Sequence, residues 1–178
     1  MIVQLDYISC PILVSKFKEH ELIKDKLLSS INSQNFSSVN YSNSYITRSD
    51  WNEAKHSRSE YMNILFPSLG YHMEEVYSYY GYKRINIHNC WFQQYTKGSG
   101  HMWHIHMDCQ WTNVYYLEMP EDAPFLEVKD PLKNKISQVK VKEGDIISFP
   151  SFVMHRSPEI TCDTRKTIIS FNSCGDID

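Results

Sequence analysis

Glu143-Gly144-Asp145-Ile146-Ile147-Ser148-Phe149-Pro150-Ser151 combines a turn, a run of β-type residues and a proline-terminated bend. It predicts a buried strand that delivers His155 to the mouth of a sheet. Outward from this stretch the same pattern repeats. β-type runs at 84–95, 102–108, 112–118, 125–128, 136–141, 145–149 and 167–172 are separated by Gly98-Ser99-Gly100, Pro120-Glu121-Asp122, Asp130-Pro131 and Glu143-Gly144-Asp145. Several short strands at this spacing predict a mainly β chain folded as a two-sheet antiparallel sandwich, a jelly roll.

The first 82 residues read as framework. Two short β-like pieces within 3–17 are broken at Cys10-Pro11. From Glu19 to Ile31, Leu22, Ile23, Leu27, Leu28 and Ile31 form one stripe against Lys24, Asp25 and Lys26, which predicts an amphipathic helix laid on a sheet. Residues 33–59 are rich in Ser and Asn and predict a long connection with a short strand at Tyr45–Thr47. A second helix is expected after Pro67, through Met73, Val76 and Tyr80 to a stop at Gly81. No repeat or second domain is visible, so 1–178 is read as one domain, 1–82 as helices and loop and 83–178 as the core that bears the candidate site.

Composition narrows the function classes. A chain of 178 residues with 42% apolar and 22% charged content suits one substantial core, and its formal charge of -3 gives no bulk attraction to nucleic acid. Five cysteines without a Cys-x-x-Cys pair cannot all be paired within the chain, which points to a reducing compartment. The start lacks a signal-peptide pattern and no apolar run reaches the roughly 20 residues that span a bilayer. The expected location is the cytoplasm.

The residues that suggest chemistry are His104-Ile105-His106-Met107-Asp108 and the distant His155. On a strand, side chains two apart share a face, so His104, His106 and Asp108 would point together. Two imidazoles and a carboxylate leave three positions of an octahedral iron open, which suits Fe(II) chemistry better than a closed zinc site. A carboxylate among Met102, Ile105 and Met107 is costly to bury unless paired or coordinated. His20, His56, His72, His88 and His101 gain no support from spacing and are read as ordinary hydrogen-bonded histidines. Ten residues after His155, Arg165 alternates with Thr167, and the pair is expected to project together into the barrel, where a buried guanidinium needs an anion.

The ordered set His106-Met107-Asp108, Tyr115-Tyr116-Leu117, Gly144-Asp145 before Phe149-Pro150, His155 and Arg165-Lys166-Thr167 resembles the Fe(II)/2-oxoglutarate-dependent dioxygenases. Within them it is most like a small group of proposed oxygenases, often from phages or bacteria. That likeness runs through Asn89-Cys90-Trp91, Tyr95, His104-Ile105-His106, Thr112 to Leu117, Phe149-Pro150-Ser151 and Ser170-Phe171-Asn172, roughly residues 84–173. The resemblance implies a double-stranded β-helix, cupin-like, with iron held by His106, Asp108 and His155. It implies a 2-oxoglutarate cosubstrate held by Arg165 and Thr167, with Tyr116 beside Arg165 and Tyr95 lining the pocket. His104 would then orient a ligand or substrate, although His104 and His106 as the paired ligands stay open.

The reaction implied is hydroxylation of a substrate C–H bond, with dioxygen consumed and succinate and carbon dioxide released. A protein or peptide substrate is mildly preferred, because the chain lacks a basic, aromatic-interleaved stretch. Trp51, Lys55, His56 and Arg58 keep nucleic acid open. Two other classes compete. A cupin-like metalloenzyme would use His104, His106 and His155 without 2-oxoglutarate, and a non-catalytic jelly-roll binding module would bind no iron.

Overall fold

The computed structural model describes residues 10–55, 58–130, 133 and 135–176. In chain order its elements are β1 (Leu13–Lys16), α1 (His20–Asn32), β2 (Val39–Tyr41), β3 (Ser44–Ile46), β4 (Arg48–Ser49) and α2 (Glu60–Ser78). They continue with β5 (Arg84–Tyr95), β6 (His101–His104), β7 (Trp111–Glu118), β8 (Leu126–Lys129), β9 (Ile136–Val139), β10 (Asp145–Pro150), β11 (Met154–Ser157) and β12 (Lys166–Asp176). Six strands form one sheet in the order β1-β10-β7-β12-β5-β4, and four form the facing sheet in the order β6-β11-β8-β9. All the pairings are antiparallel. The jelly-roll expectation is met.

The large sheet is buried on both faces, and residue parity decides which layer a side chain joins. Phe92, Tyr115, Leu117, Ile146, Ile169 and Phe171 face the helices, packing with Leu27, Ile31, Leu65, Leu69 and Met73. Tyr95, Val114, Tyr116, Ile147, Phe149 and Ile168 face the small sheet, packing with Leu126 and Val128. Between two elements fixed in this way, Gly144 turns the chain into β10 at φ 83, and a Cβ there would lie 2.6 Å from Lys16 Nζ. Only glycine takes that conformation and approach without strain.

Four local expectations are corrected. α2 begins at Glu60, seven residues before Pro67, because Tyr61, Met62, Leu65, Leu69 and Met73 keep one buried stripe across the proline. Pro67 itself is exposed, so its missing N–H disturbs no packed surface. In α1, Leu22 is 75% exposed, and His20 takes a buried place instead, its Nδ1 2.7 Å from Tyr115 Oη. The 33–59 connection contains the β2–β3 hairpin, turned by Ser42 and Asn43 at φ 47 and 66, and the edge strand β4. Asp50 anchors this segment: its carboxylate accepts hydrogen bonds from the Phe92 N–H at 2.8 Å and the Ser59 hydroxyl at 2.7 Å. Finally, the strand expected over 102–108 stops at His104. The first β-like piece expected within 3–17, and His56, lie outside the described residues.

Candidate metal centre

β6 and β11 are neighbours in the small sheet, and His104 lies directly opposite His155. His106 follows two residues beyond the end of β6, where its backbone N–H donates to Ser151 O at 3.0 Å. The three rings converge, with centroids 4.2 Å apart for His104–His155, 5.1 Å for His106–His155 and 5.4 Å for His104–His106. A potential ligand atom from each lies within 4.8 Å of the others.

The other edge of each ring is committed. His104 Nδ1 donates to Met102 O at 2.7 Å, His155 Nδ1 to Val153 O at 2.9 Å, and His106 Nδ1 to Asn172 Oδ1 at 2.6 Å. Carbonyl oxygens only accept, so each imidazole carries its proton on Nδ1 and leaves the Nε2 lone pair free. Burial pushes His106 down to about 4 and lowers His104 and His155 as well, so the rings are neutral at ordinary pH. Three oriented neutral imidazoles are a donor set for a divalent transition metal.

Asp108 does not join this group. It is exposed at φ 61, and the extended alternation that would place it beside His106 ends at His104. His101, which spacing alone did not single out, stacks on His104 at 3.8 Å in the same cavity, and burial followed by its imidazole neighbours lowers it to about 3. The break in regular pairing between His155 and Ser157 turns both His101 and His104 inward.

The cavity is small, about 20 Å³, and its walls combine the three imidazoles with Trp91, Gln93, Tyr95, Ser157 and Ser170. Arg165 is not on it. Its guanidinium makes a two-pronged pair with Glu118, 2.9 Å from Nε and 2.7 Å from the terminal nitrogen, and it is partly exposed. Thr167 also donates to Glu118. Thr167 lies on the face of β12 opposite Ile168 and Ser170, which line the cavity, and Arg165 just before the strand shares its partner Glu118. Tyr116 is buried in the layer between the sheets, whereas Tyr95 reaches the cavity wall.

Lys166 takes the inward place that had been expected for Arg165. It is 2% exposed, with Nζ donating to Ser157 Oγ at 2.8 Å and lying 5.1 Å from the Tyr95 ring centroid. Its Nζ also donates to Pro124 O at 3.4 Å, and burial lowers it to about 8. Its parity with Ser170 and Asn172 was the available signal, but Ile168-Ile169-Ser170-Phe171 is compatible with either face pointing inward.

Several solved structures share this architecture. A 2OG-Fe(II) oxygenase family oxidoreductase from Burkholderia pseudomallei superposes with a TM-score of 0.68 at 10% identity, over 91% of this chain and 83% of its own. The chain has the fold of the 2OG-Fe(II) oxygenases. The viral collagen prolyl hydroxylase of Paramecium Bursaria Chlorella virus-1 gives 0.65 at 13% identity over 94% and 96%. A Trichoplax adhaerens prolyl hydroxylase, solved with a peptide fragment of a hypoxia inducible factor oxygen degradation domain, gives 0.65 at 17% over 91% and 82%. No protein-family profile matches the sequence, and no curated protein matches it.

Proposed function

We propose that this protein is an Fe(II)- and 2-oxoglutarate-dependent oxygenase whose metal ligands are His104, His106 and His155. The observation that carries this reading is the convergence of three neutral imidazoles, each with Nδ1 tied to a carbonyl, in a cavity whose wall includes Tyr95 and Ser157, the two residues against which buried Lys166 packs. The donor set fits iron, and the Lys166 ammonium, which now donates to Ser157 Oγ and Pro124 O, would turn to the distal carboxylate of a dicarboxylate cosubstrate. Together with 2-oxoglutarate and dioxygen, iron supplies the oxidation of a substrate C–H bond, with succinate and carbon dioxide as coproducts.

The chain's own residues orient and exclude. Met102 O, Val153 O and Asn172 hold the imidazoles in one tautomer, while Lys166 and Ser157 offer donors to the cosubstrate. Trp91, Val114, Leu126 and Ile168 give the cavity an apolar wall. Arg165 and Thr167 hold Glu118 on the far side of β12 and have no part in this reading. A peptide substrate is supported by the prolyl hydroxylase likeness and by exposed Ile105, Met107 and Phe152, which flank the contact between His106 and Ser151.

The test is anaerobic titration of the Fe(II)-loaded protein with 2-oxoglutarate, read from the visible charge-transfer band of a chelated 2-oxo acid. Its appearance supports the proposal. Iron retained without the band favours a second reading, a cupin-like metalloenzyme that does not use 2-oxoglutarate, which the absence of an acid among the three grouped residues favours.

A further inference from the structure

Trp91 stands on the cavity wall with a hydrogen-bond donor left open. It is 3% exposed and lies 5.6 Å from His106 by ring centroids. Its indole Nε1–H is buried, and among the described residues it has no hydrogen-bond partner. Indole nitrogen only donates, so a guest that satisfies it must bring an acceptor. The acceptors nearby are already matched: Asn172 Oδ1 serves His106, and the Met102 and Val153 carbonyls serve His104 and His155. Trp51 packs edge-on against Trp91, 4.4 Å between centroids, and holds the ring in place.

Beside His106, two chain segments are zipped into one rim. His106 N–H donates to Ser151 O at 3.0 Å, Ser151 N–H to Gln110 O at 2.9 Å, and the Ser151 hydroxyl to Cys109 O at 2.6 Å. On this rim Ile105, Met107 and Phe152 are exposed, and large apolar side chains held together in solvent mark a binding surface. Its charge narrows the guest. Residues 102–110 and 149–155 contain no lysine or arginine and a single acid, Asp108. Such a rim gives an anionic guest nothing to pair with and accepts an uncharged one without opposition.

We infer that Trp91 positions the organic substrate, its Nε1–H donating to a neutral carbonyl oxygen of a peptide whose apolar side chains rest on Ile105, Met107 and Phe152. This rests on the oxygenase reading above and names the substrate chemistry of that same site. The metal keeps the ligands already given to it, and the carbonyl is bound by the indole alone. A peptide brings both features at once, because every residue carries a backbone carbonyl and the side chains beside it are free to pack on the rim.

The probe is the uncharged peptide acetyl-Leu-Pro-Leu-amide, added to the full-length chain carrying Zn(II) in place of iron together with 2-oxoglutarate. Zinc uptake by elemental analysis and 2-oxoglutarate binding by calorimetry are measured first. The Trp91 Nε1–H proton resonance, identified by elimination in Trp51→Phe, Trp103→Phe and Trp111→Phe, should move when the peptide is added to the loaded chain. Trp91→Phe should weaken peptide binding roughly threefold to tenfold while 2-oxoglutarate affinity stays within about twofold. Phe152→Ser should weaken it about threefold or more, and acetyl-Glu-Pro-Glu-amide should bind about threefold or more weakly than the neutral peptide. Where Trp91→Phe does not fold, the resonance of the unaltered chain and Phe152→Ser decide the matter. A Trp91 resonance that answers to 2-oxoglutarate alone overturns the inference and leaves the metal reading intact. So do peptide affinities within about twofold of one another across the variants, or no peptide binding by a chain that holds both zinc and 2-oxoglutarate. Failure of the unaltered chain to hold zinc or 2-oxoglutarate overturns the oxygenase reading as well.

Discussion

His104 and His155 face each other across the β6–β11 pair, and each donates its Nδ1 proton to the carbonyl of the residue two positions earlier, Met102 and Val153. The two ligand-bearing strands therefore use the same local device to aim Nε2. Replacing either histidine with alanine should lower Co(II) or Fe(II) affinity at least about a hundredfold. Asp108→Ala should stay within about twofold of the unaltered chain. Metal titration followed by elemental analysis checks both, and a hundredfold loss in the Asp108 variant would return the carboxylate to the ligand set.

Asn172 orients the third imidazole from a different sheet. Asn172→Ala should leave folding nearly unchanged, yet weaken metal binding roughly 10- to 100-fold by freeing the His106 ring to change tautomer and direction. The comparison needs thermal melts and metal titration on the same preparation. An unchanged metal affinity would show that His106 is held by other contacts.

Lys166 and Arg165 are chain neighbours with different partners, Ser157 and Glu118. Lys166→Met should abolish measurable 2-oxoglutarate binding by calorimetry, whereas Arg165→Ala should retain it. In the unaltered protein, affinity should fall as pH rises through about 8, where Lys166 loses its proton. The slope there should approach about tenfold per pH unit. Loss of binding in the Arg165 variant alone would reverse the assignment.

The same lysine affects stability in the opposite direction. Its ordinary value is 10.5 and burial lowers it to about 8, so between these pH values the unfolded chain holds more protons than the folded one. Folding stability should therefore rise with pH across that window, because the cost of burying the ammonium is present below 8 and removed above. The contribution is on the order of a few kcal/mol. Urea denaturation at pH 7 and pH 9.5 should show this rise in the unaltered chain and a smaller one in Lys166→Met.

Asp50 is fully buried and serves two donors, Phe92 N–H and Ser59 Oγ–H. Asp50→Ala strands both and should cost about 2–4 kcal/mol in urea denaturation. Because β4 pairs with β5 beside Phe92, the loss should appear as global destabilisation, and an unchanged midpoint would refute the anchoring role.

The strands legible in the sequence were those bounded by strong turn chemistry, as at Glu143-Gly144-Asp145 before β10 and across β5, expected and found at 84–95. The convergence of His106 and His155 was legible too. What could not be read was facing. In a strand buried on both sides, alternation does not say which side is the cavity, and the buried place fell to Lys166 while Arg165 pairs with Glu118. Nor does the sequence around Met107 announce that β6 stops at His104, which removed Asp108 from the face of the imidazoles. Pro67 misled in another way: its exposed position inside α2 is settled by the packing of Leu65 and Leu69, a tertiary effect.

β12 and β5, 11 and 12 residues long and paired along nearly their whole length, carry Lys166, Asn172 and Trp91, whereas His104 and His155 sit on strands of four residues. The candidate centre thus joins long, extensively paired strands to short ones, and the short strands are expected to open first. A metal ion bridging His104 and His155 on the small sheet to His106, itself tethered to β12 through Asn172, would act as a clasp between the two sheets. Loading should slow amide exchange in β6 and β11 far more than in β5 and β12, so that occupancy of the site sets how long the small sheet stays closed.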